Sequence, residues 1–278
     1  MPSEAGDVPR LNTSTPEPAD PSASTIDPTA RIDPGAKLGP GCEVGPFCYL
    51  EGKVTAGERN RFAAGVAIGG VPMDTKYGGE DTEVRIGSGN TFFEYTTVHR
   101  ASGTGNATVI GDDNFVMAYV HIAHNCRIGN GCVITNGVQL AGHVELGDRA
   151  NVGGLAGIHQ FCRVGTLAMV GACSYVNKDI PPYMLAAGNP CCVRGLNSVG
   201  LRRAGVGEPV LAILRQAHRT IYRAGLNLAQ ALSTIEAELL PASAPGRGRE
   251  QLQELVRFIR SSTRGIELRT SPQEQEES

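Results

Sequence analysis

The sequence predicts a mainly β protein, a parallel β-helix of hexapeptide repeats followed by a C-terminal α-helical domain. Three observations predict it. First, every sixth residue from Ile110 onward is aliphatic: Ile110, Val116, Ile122, Ile128, Ile134, Leu140, Leu146, Val152, Ile158, Val164, Val170 and Val176. A period of six fits neither an α-helix nor an alternating strand over this length, and marks one short strand and one turn per block. Second, the fifth place of each block is small or β-branched, as at Val120, Cys126, Cys132, Val138, Ala150 and Cys162, and the second is often Gly, as at Gly111, Gly129, Gly147 and Gly165. The first residue fills the interior, the fifth fits beside it, and Gly or Asn suits the turn. Third, from about Asn197 the period becomes helical, with Val210, Ile213, Leu214, Ala217 and Ile221, then Leu226, Ala229, Leu232, Ile235 and Leu239, then Leu252, Leu255, Val256 and Ile259.

Taken in order, residues 1–24 are rich in Pro, Ser, Ala, Thr and acids and have little to bury, so a disordered extension is expected. Hexads begin at Ile26 and run through Ile32, Leu38, Val44 and Leu50, with Ala56 a weak member before Phe62 and Ile68. The solenoid is expected over 25–195, with loops near 69–83 and 101–107 where the period breaks. Such breaks leave the stack on one side, often the binding side. A helical domain over 196–268, of three amphipathic helices split at Gly225 and between Pro241 and Gly248, would cap the last coil's strand edges. Residues 269–278 are polar, and a disordered tail is expected.

The composition narrows the classes. A net charge of −3 gives no argument for nucleic acid. Scarce aromatics (5%, no Trp) and 36 Gly suit thin stacked coils. No apolar run is long enough for a transmembrane helix, and no basic segment with an apolar core marks a secretory signal. Of the 8 Cys, five (Cys42, Cys48, Cys126, Cys132, Cys162) take the small fifth place, so they read as buried small hydrophobes. Adjacent Cys191 and Cys192 are poor metal spacing. A reduced, cytoplasmic protein is expected.

With three hexads per coil, residues 18 apart share a face, in coils about 4.8 Å apart. The hexads of Ile122, Leu140 and Ile158 then lie on one face, with that of Val98 below if the second break is a mere excursion. That face presents His99, then His121, His124 and Asn125, then Gly142 and His143, then His159 and Gln160. Five of the 6 histidines gather there, and the sixth, His218, falls in a helix. An imidazole column suits general-base chemistry. It also suits zinc, as in the trimeric gamma-type carbonic anhydrases, although His121 and His124 leave a third ligand unassigned. A non-catalytic β-helix scaffold is the third reading.

HIAHNC (121–126), QLAGHV (139–144) and GIHQFC (157–162) resemble the UDP-N-acetylglucosamine O-acyltransferases of lipid A biosynthesis. MDTKYGGE (73–80), TVHR (97–100), DIPPYMLAAGN (179–189), GLRRAG (200–205) and STRGI (262–266) extend the resemblance across about residues 26 to 268. It implies a homotrimer of left-handed parallel β-helices with sites in clefts between subunits. It implies transfer of a 3-hydroxyacyl chain from acyl carrier protein to the sugar 3-position of UDP-GlcNAc. The only group needed besides protein is the carrier's phosphopantetheine arm, with no metal and no dissociable cofactor. His124 matches the general base and the Gly142 N–H the oxyanion donor. His121, His143 and Gln160 match residues that position sugar, acyl chain or pantetheine, with His99 and His159 in the same cleft. Asp74 and Lys76 match loop contacts to acyl hydroxyl, sugar and phosphates, and Asn197 and Arg203 match the nucleotide end. Arg202, Arg203, Arg215, Arg219 and Arg223 suit an acidic carrier protein.

The sequence also departs from the family pattern. Asn125 stands where an Asp usually follows the base and raises its basicity. Met73 replaces a polar Gln near the sugar, Val199 and Ala204 replace Glu and Arg near the nucleotide, and Ala172 replaces a Gly of the acyl-chain ruler. A weaker base would suffice for a neutral amine, so Asn125 and Met73 also suit a 3-amino sugar nucleotide and an amide product. A further alternative is another hexapeptide acyltransferase, though the pathway's N-acyltransferase carries an N-terminal globular domain for which the stretch before Ile26 is too short.

Overall fold

The structure, a computed structural model, describes residues 23–243 and 247–268. The expected disordered segments lie outside these residues, apart from Ala23 and Ser24. Strands of mostly two residues build three sheets. Sheet A has ten strands, sheet B eight and sheet C seven, and consecutive strands up to Tyr175–Val176 visit A, B and C in rotation. The chain therefore winds as a triangular coil, and all strand pairs between coils are parallel.

The period of six becomes geometry through the register. Along sheet B, His121 pairs with Gln139, Gln139 with Gly157 and Gly157 with Tyr175, each 18 residues on. Each two-residue strand turns one side chain in and one out. Ile122, Leu140 and Ile158 point inward and are almost fully buried, while His121 is half-buried on the outer face. Cys126, Cys132 and Cys162 fill the interior beside them, as their fifth-place spacing predicts. The two breaks are excursions: Ala67 pairs with Thr97 and Thr97 with His121, so the ladder resumes in register after each.

At the vertices, a residue in the left-handed region closes the turn. Several are not Gly: Phe47, Tyr95, Tyr119 and Leu155 where A meets B, and Asn125 (φ 60°), His143 (φ 60°) and Phe161 (φ 64°) where B meets C. L side chains rarely adopt this conformation, and Asn tolerates it best.

The C-terminal part is more elaborate than the three helices read from sequence. Met184–Ala187 and Cys192–Leu196 first form an antiparallel pair that ends sheet A. A short helix α1 (Ser198–Arg203) follows, capped by the Asn197 side chain, which accepts from the Gly200 N–H at 3.1 Å. Helix α2 (Glu208–Tyr222) buries Leu211, Leu214, Ala217, His218 and Ile221. Helix α3 (Leu228–Thr234) opens on an Asn227–Gln230 capping box and passes through a π turn (Ile235–Leu239) into α4 (Leu240–Ala242). The widening just before Pro241 fits a residue that has no N–H to donate. Helix α5 (Arg247–Arg260) returns along sheet C. Buried Asp179 ties it down: its carboxylate accepts from Arg163 Nε (2.9 Å) and Ser262 Oγ (2.8 Å), while Arg163 also donates to the Phe258 carbonyl (2.9 Å).

Candidate active site

The imidazole column lies where the outer face of sheet B meets the B–C vertex. Three coils stack there, so each turn position makes its own vertical row. Ala123, Ala141 and His159 form one, His124, Gly142 and Gln160 the next, and Asn125, His143 and Phe161 the third. Gly142 thus sits over His124. A Cβ at Gly142 would come within 2.6 Å of His124 Cε1 and Nε2, so only Gly leaves the ring room there. The Gly142 carbonyl accepts from the Phe161 N–H at 3.1 Å in the next coil.

The neighbours of His124 fix its tautomer. Asn125 Oδ1 accepts from the Ser102 backbone N–H at 2.9 Å, and Asn125 Nδ2 donates to the Ser102 carbonyl at 3.1 Å. Only one orientation of the amide satisfies both bonds. In that orientation Oδ1 lies 2.9 Å from His124 Nδ1, so Nδ1 carries the hydrogen. Nε2, on the Gly142 side, keeps its lone pair. Asn125 is further held by its own N–H, which donates to Thr108 Oγ1 at 2.9 Å.

The other imidazoles surround this one. His143 meets the His124 ring edge-to-face at 5.4 Å and stacks on Phe161 at 4.6 Å. His121 meets His99 edge-to-face at 5.1 Å, and His121 Nδ1 lies 2.8 Å from Thr97 Oγ1. Burial holds the His121 imidazole down to about 4 and lowers His99 and His143. These three are therefore neutral near pH 7 and do not add positive charge beside His124. His159 Nδ1 lies 3.1 Å from the Gln160 carbonyl. The first excursion brings Asp74 within 2.7 Å of Ser102 Oγ and leaves Met73 and Lys76 exposed. Met73, His121, His124, Gln139, Gly142, His159, Gln160 and Tyr175 line an open depression of about 550 Å³. A second depression, between sheet C and α5, is lined by Arg127, Glu145, Arg163 and Phe258, and its Arg163 is committed to Asp179.

One chain thus gathers Met73, Asp74, His99, His121, His124, Asn125, Gly142, His143, His159 and Gln160. It does not bring Ala172, Asn197 or Arg203 to them. Ala172 is exposed at the far, A–B vertex of sheet B. Asn197 donates to the Leu167 carbonyl at 2.9 Å, at the vertex where C meets A, and α1 carries Arg203 there. Arg202 and Arg215 share the Glu208 carboxylate. Sequence reasoning missed Ser102, which carries no motif and enters the site only through the path of the 101–107 excursion.

A hexapeptide β-helix with a glycine stacked over a poised histidine defines a transferase of the hexapeptide class. Residues 107–142 match the bacterial transferase hexapeptide (six repeats) family, and residues 179–267 match domain 2 of UDP-N-acetylglucosamine O-acyltransferase. The chain is 53% identical over 211 residues to the acyl-[acyl-carrier-protein]–UDP-N-acetylglucosamine O-acyltransferase of Paracidovorax citrulli, covering 76% of this chain and 79% of that one. The UDP-N-acetylglucosamine acyltransferase structure from Bacteroides fragilis superposes with a TM-score of 0.80 at 35% identity, covering 87% of this chain and 99% of the other. The Acinetobacter baumannii structure gives 0.79 at 36%, with the same coverage. The chain belongs to the UDP-N-acetylglucosamine O-acyltransferase family. Its fold is accordingly the left-handed parallel β-helix with a C-terminal helical region. Among the described residues, no helix is long and apolar enough to cross a membrane.

Proposed function

We propose that this chain transfers a 3-hydroxyacyl group from acyl carrier protein to the 3-hydroxyl of UDP-GlcNAc, the first step of lipid A biosynthesis. The observation that carries the reading is His124, held by Asn125 with Nε2 free and facing Gly142, in a member of this family. His124 Nε2 takes the proton of the sugar 3-hydroxyl as that oxygen attacks the thioester carbonyl. The carbonyl oxygen gains negative charge and meets the Gly142 N–H. The tetrahedral intermediate collapses, the C–S bond breaks, and the imidazolium returns its proton to the departing phosphopantetheine thiolate. A hydroxyl acceptor needs such a base, and the fixed tautomer supplies one.

The remaining residues bind. His121, His143, His159, Gln160 and His99 position sugar, acyl chain and pantetheine, with Met73, Asp74 and Lys76 closing from the first excursion. Ala172 bounds the acyl chain, and Asn197 and Arg203 receive the nucleotide. Asn197 and Arg203 lie at a different vertex from His124, which supports a homotrimer whose clefts combine residues of two subunits. The carrier protein docks on the arginines of the helical region, in the cytoplasm, and no metal or dissociable cofactor takes part.

The test is a transfer assay with defined 3-hydroxyacyl carrier proteins and both the 3-hydroxy and 3-amino sugar nucleotides. The hydroxyl acceptor is expected to turn over, and His124→Ala to lose about 10³-fold in kcat, within the range for removal of a general base. A preference for the amino acceptor, or a fully active His124→Ala, would overturn the proposal.

A further inference from the structure

The family pattern puts a carboxylate next to the base, and this chain has an amide there. The structure holds a carboxylate one link further out. Ser102 Oγ donates its single hydrogen to Asp74 Oδ2 at 2.7 Å, while Asn125 Oδ1 lies 3.4 Å from the same oxygen. The Ser102 main chain meanwhile grips both ends of the Asn125 amide, at 2.9 and 3.1 Å. One residue thus holds Asp74 through its side chain and Asn125 through its backbone. Ser102 sits in the second excursion and Asp74 in the first, so the two loops are joined at this point, beside His124.

We propose that Ser102 is a positioning residue for the base, and that Asp74, fixed by Ser102, supplies the negative charge facing His124 that residue 125 does not. This rests on the acyl-transfer reading for its kinetic consequences but not for its electrostatic one. An Asp at 125 could not make the same grip. Its second oxygen would face the Ser102 carbonyl across the 3.1 Å that Nδ2 now bridges as a donor, two acceptors with no hydrogen between them. The amide at 125 and the carboxylate at 74 are therefore one arrangement, in which the charge has moved outward and the orienting oxygen has stayed.

The charges around His124 agree with this division. The titratable groups facing it are Asp74, His99, His121 and His143, and the three imidazoles are held neutral by burial. Of these four groups Asp74 is the ionised one, and the exposed Lys76 carries the opposite charge on the same excursion. The Asp74 carboxyl is held below the usual range by the Lys76 N–H at 3.0 Å, then by the Ser102 hydroxyl.

The test compares Ser102→Ala, Ser102→Thr, Asp74→Asn and Asn125→Asp with the parent chain in two readouts. The first is an NMR titration of the His124 imidazole without substrate, which reads the electrostatics whatever the enzyme's acceptor. The second is the pH profile of kcat/KM. Removing a nearby negative charge disfavours imidazolium. The His124 titration and the acid limb of the profile should both move to lower pH by about half a unit in Asp74→Asn, and by less in Ser102→Ala, where the carboxylate keeps its charge but loses the hydroxyl that holds it in place. In Ser102→Ala, kcat should fall about tenfold with KM for the sugar nucleotide within about twofold, as for a loss felt in the transition state. Ser102→Thr keeps the hydroxyl and should restore both readouts. Asn125→Asp should lower kcat, because it breaks the grip on Ser102. An unmoved His124 titration in both Ser102→Ala and Asp74→Asn overturns the proposal, as does a higher kcat in Asn125→Asp. If Ser102→Ala does not fold, Asp74→Asn decides by the same titration. Loss of transfer by the parent chain would instead overturn the acyl-transfer reading.

Discussion

Gly142 can be tested apart from the fold that carries it. Its φ lies outside the left-handed region, so Ala is allowed there by the backbone. The one obstacle is the His124 ring, 2.6 Å from where the Cβ would stand. Gly142→Ala should therefore leave thermal stability nearly unchanged, because a half-exposed ring can swing aside. The same swing takes Nε2 off its line to the acceptor, and kcat should fall about 10²-fold, the scale of a displaced catalytic group. A stable, fully active Gly142→Ala would show that the close approach is incidental. At this scale the sequence was legible wherever spacing alone fixes position. Counting in eighteens put His124, Gly142 and Gln160 in one row because two-residue strands leave no freedom of register. Ser102 was hidden because its place depends on a loop conformation that no period encodes.

Among the elements, the turns between sheets C and A hold a feature that the hexad pattern half concealed. Asn60, Asn90 and Asn114 occupy the fifth place where small or β-branched residues are usual, and all three are buried. Their amides form a ladder: Asn90 Nδ2 donates to Asn60 Oδ1 and Asn114 Nδ2 to Asn90 Oδ1, each at 2.9 Å, and the Cys132 N–H donates to Asn114 Oδ1 at 2.8 Å. Asn90→Ala would leave Asn60 Oδ1 its bond from the residue-90 N–H at 3.0 Å but strand the Asn114 N–H and Nδ2, which both donate to Asn90 Oδ1 at 2.9 Å, and should cost about 2–3 kcal/mol by urea unfolding, the penalty for buried groups left unpaired. In helix α2, burial holds His218 down to about 4, and its Nε2 has no hydrogen-bond partner among the described residues. Unfolded, a histidine takes its proton near pH 6.5, so the unfolded chain binds the extra proton first. The contribution of His218 is thus full above pH 6.5 and is lost as pH falls toward 4, with a slope of about 1.4 kcal/mol per pH unit. His218→Leu should flatten the fall of the urea midpoint between pH 6.5 and 4.5, and an unchanged slope would refute this. The helical period announced α2 and α5 because their apolar stripes are continuous. It did not announce α1, which is too short to show a stripe, or the antiparallel pair before it, which follows from a turn after the last coil.

At the scale of the whole molecule, the separation of His124 from Asn197 and Arg203 sets the last prediction. In one chain His124 stands where sheet B meets sheet C, and Asn197 is bonded to Leu167 where C meets A. The two edges of one coil are separated by the face of sheet C, so the homotrimer proposed above would join His124 of one chain to Asn197 and Arg203 of the next. In the proposed threefold ring, each subunit would give His124 to one cleft and Asn197 and Arg203 to the next. Variants that break different ends should therefore complement each other. His124→Ala and Arg203→Ala homotrimers should each be nearly inactive. Mixed by unfolding and refolding together at equal amounts, they should recover about a quarter of the parent activity, since random assortment pairs an intact base with an intact neighbour in about one cleft in four. Simple mixing of folded trimers should recover nothing until subunits exchange. Failure to recover activity after joint refolding into trimers would place base and nucleotide end on one chain, against the geometry of the coil.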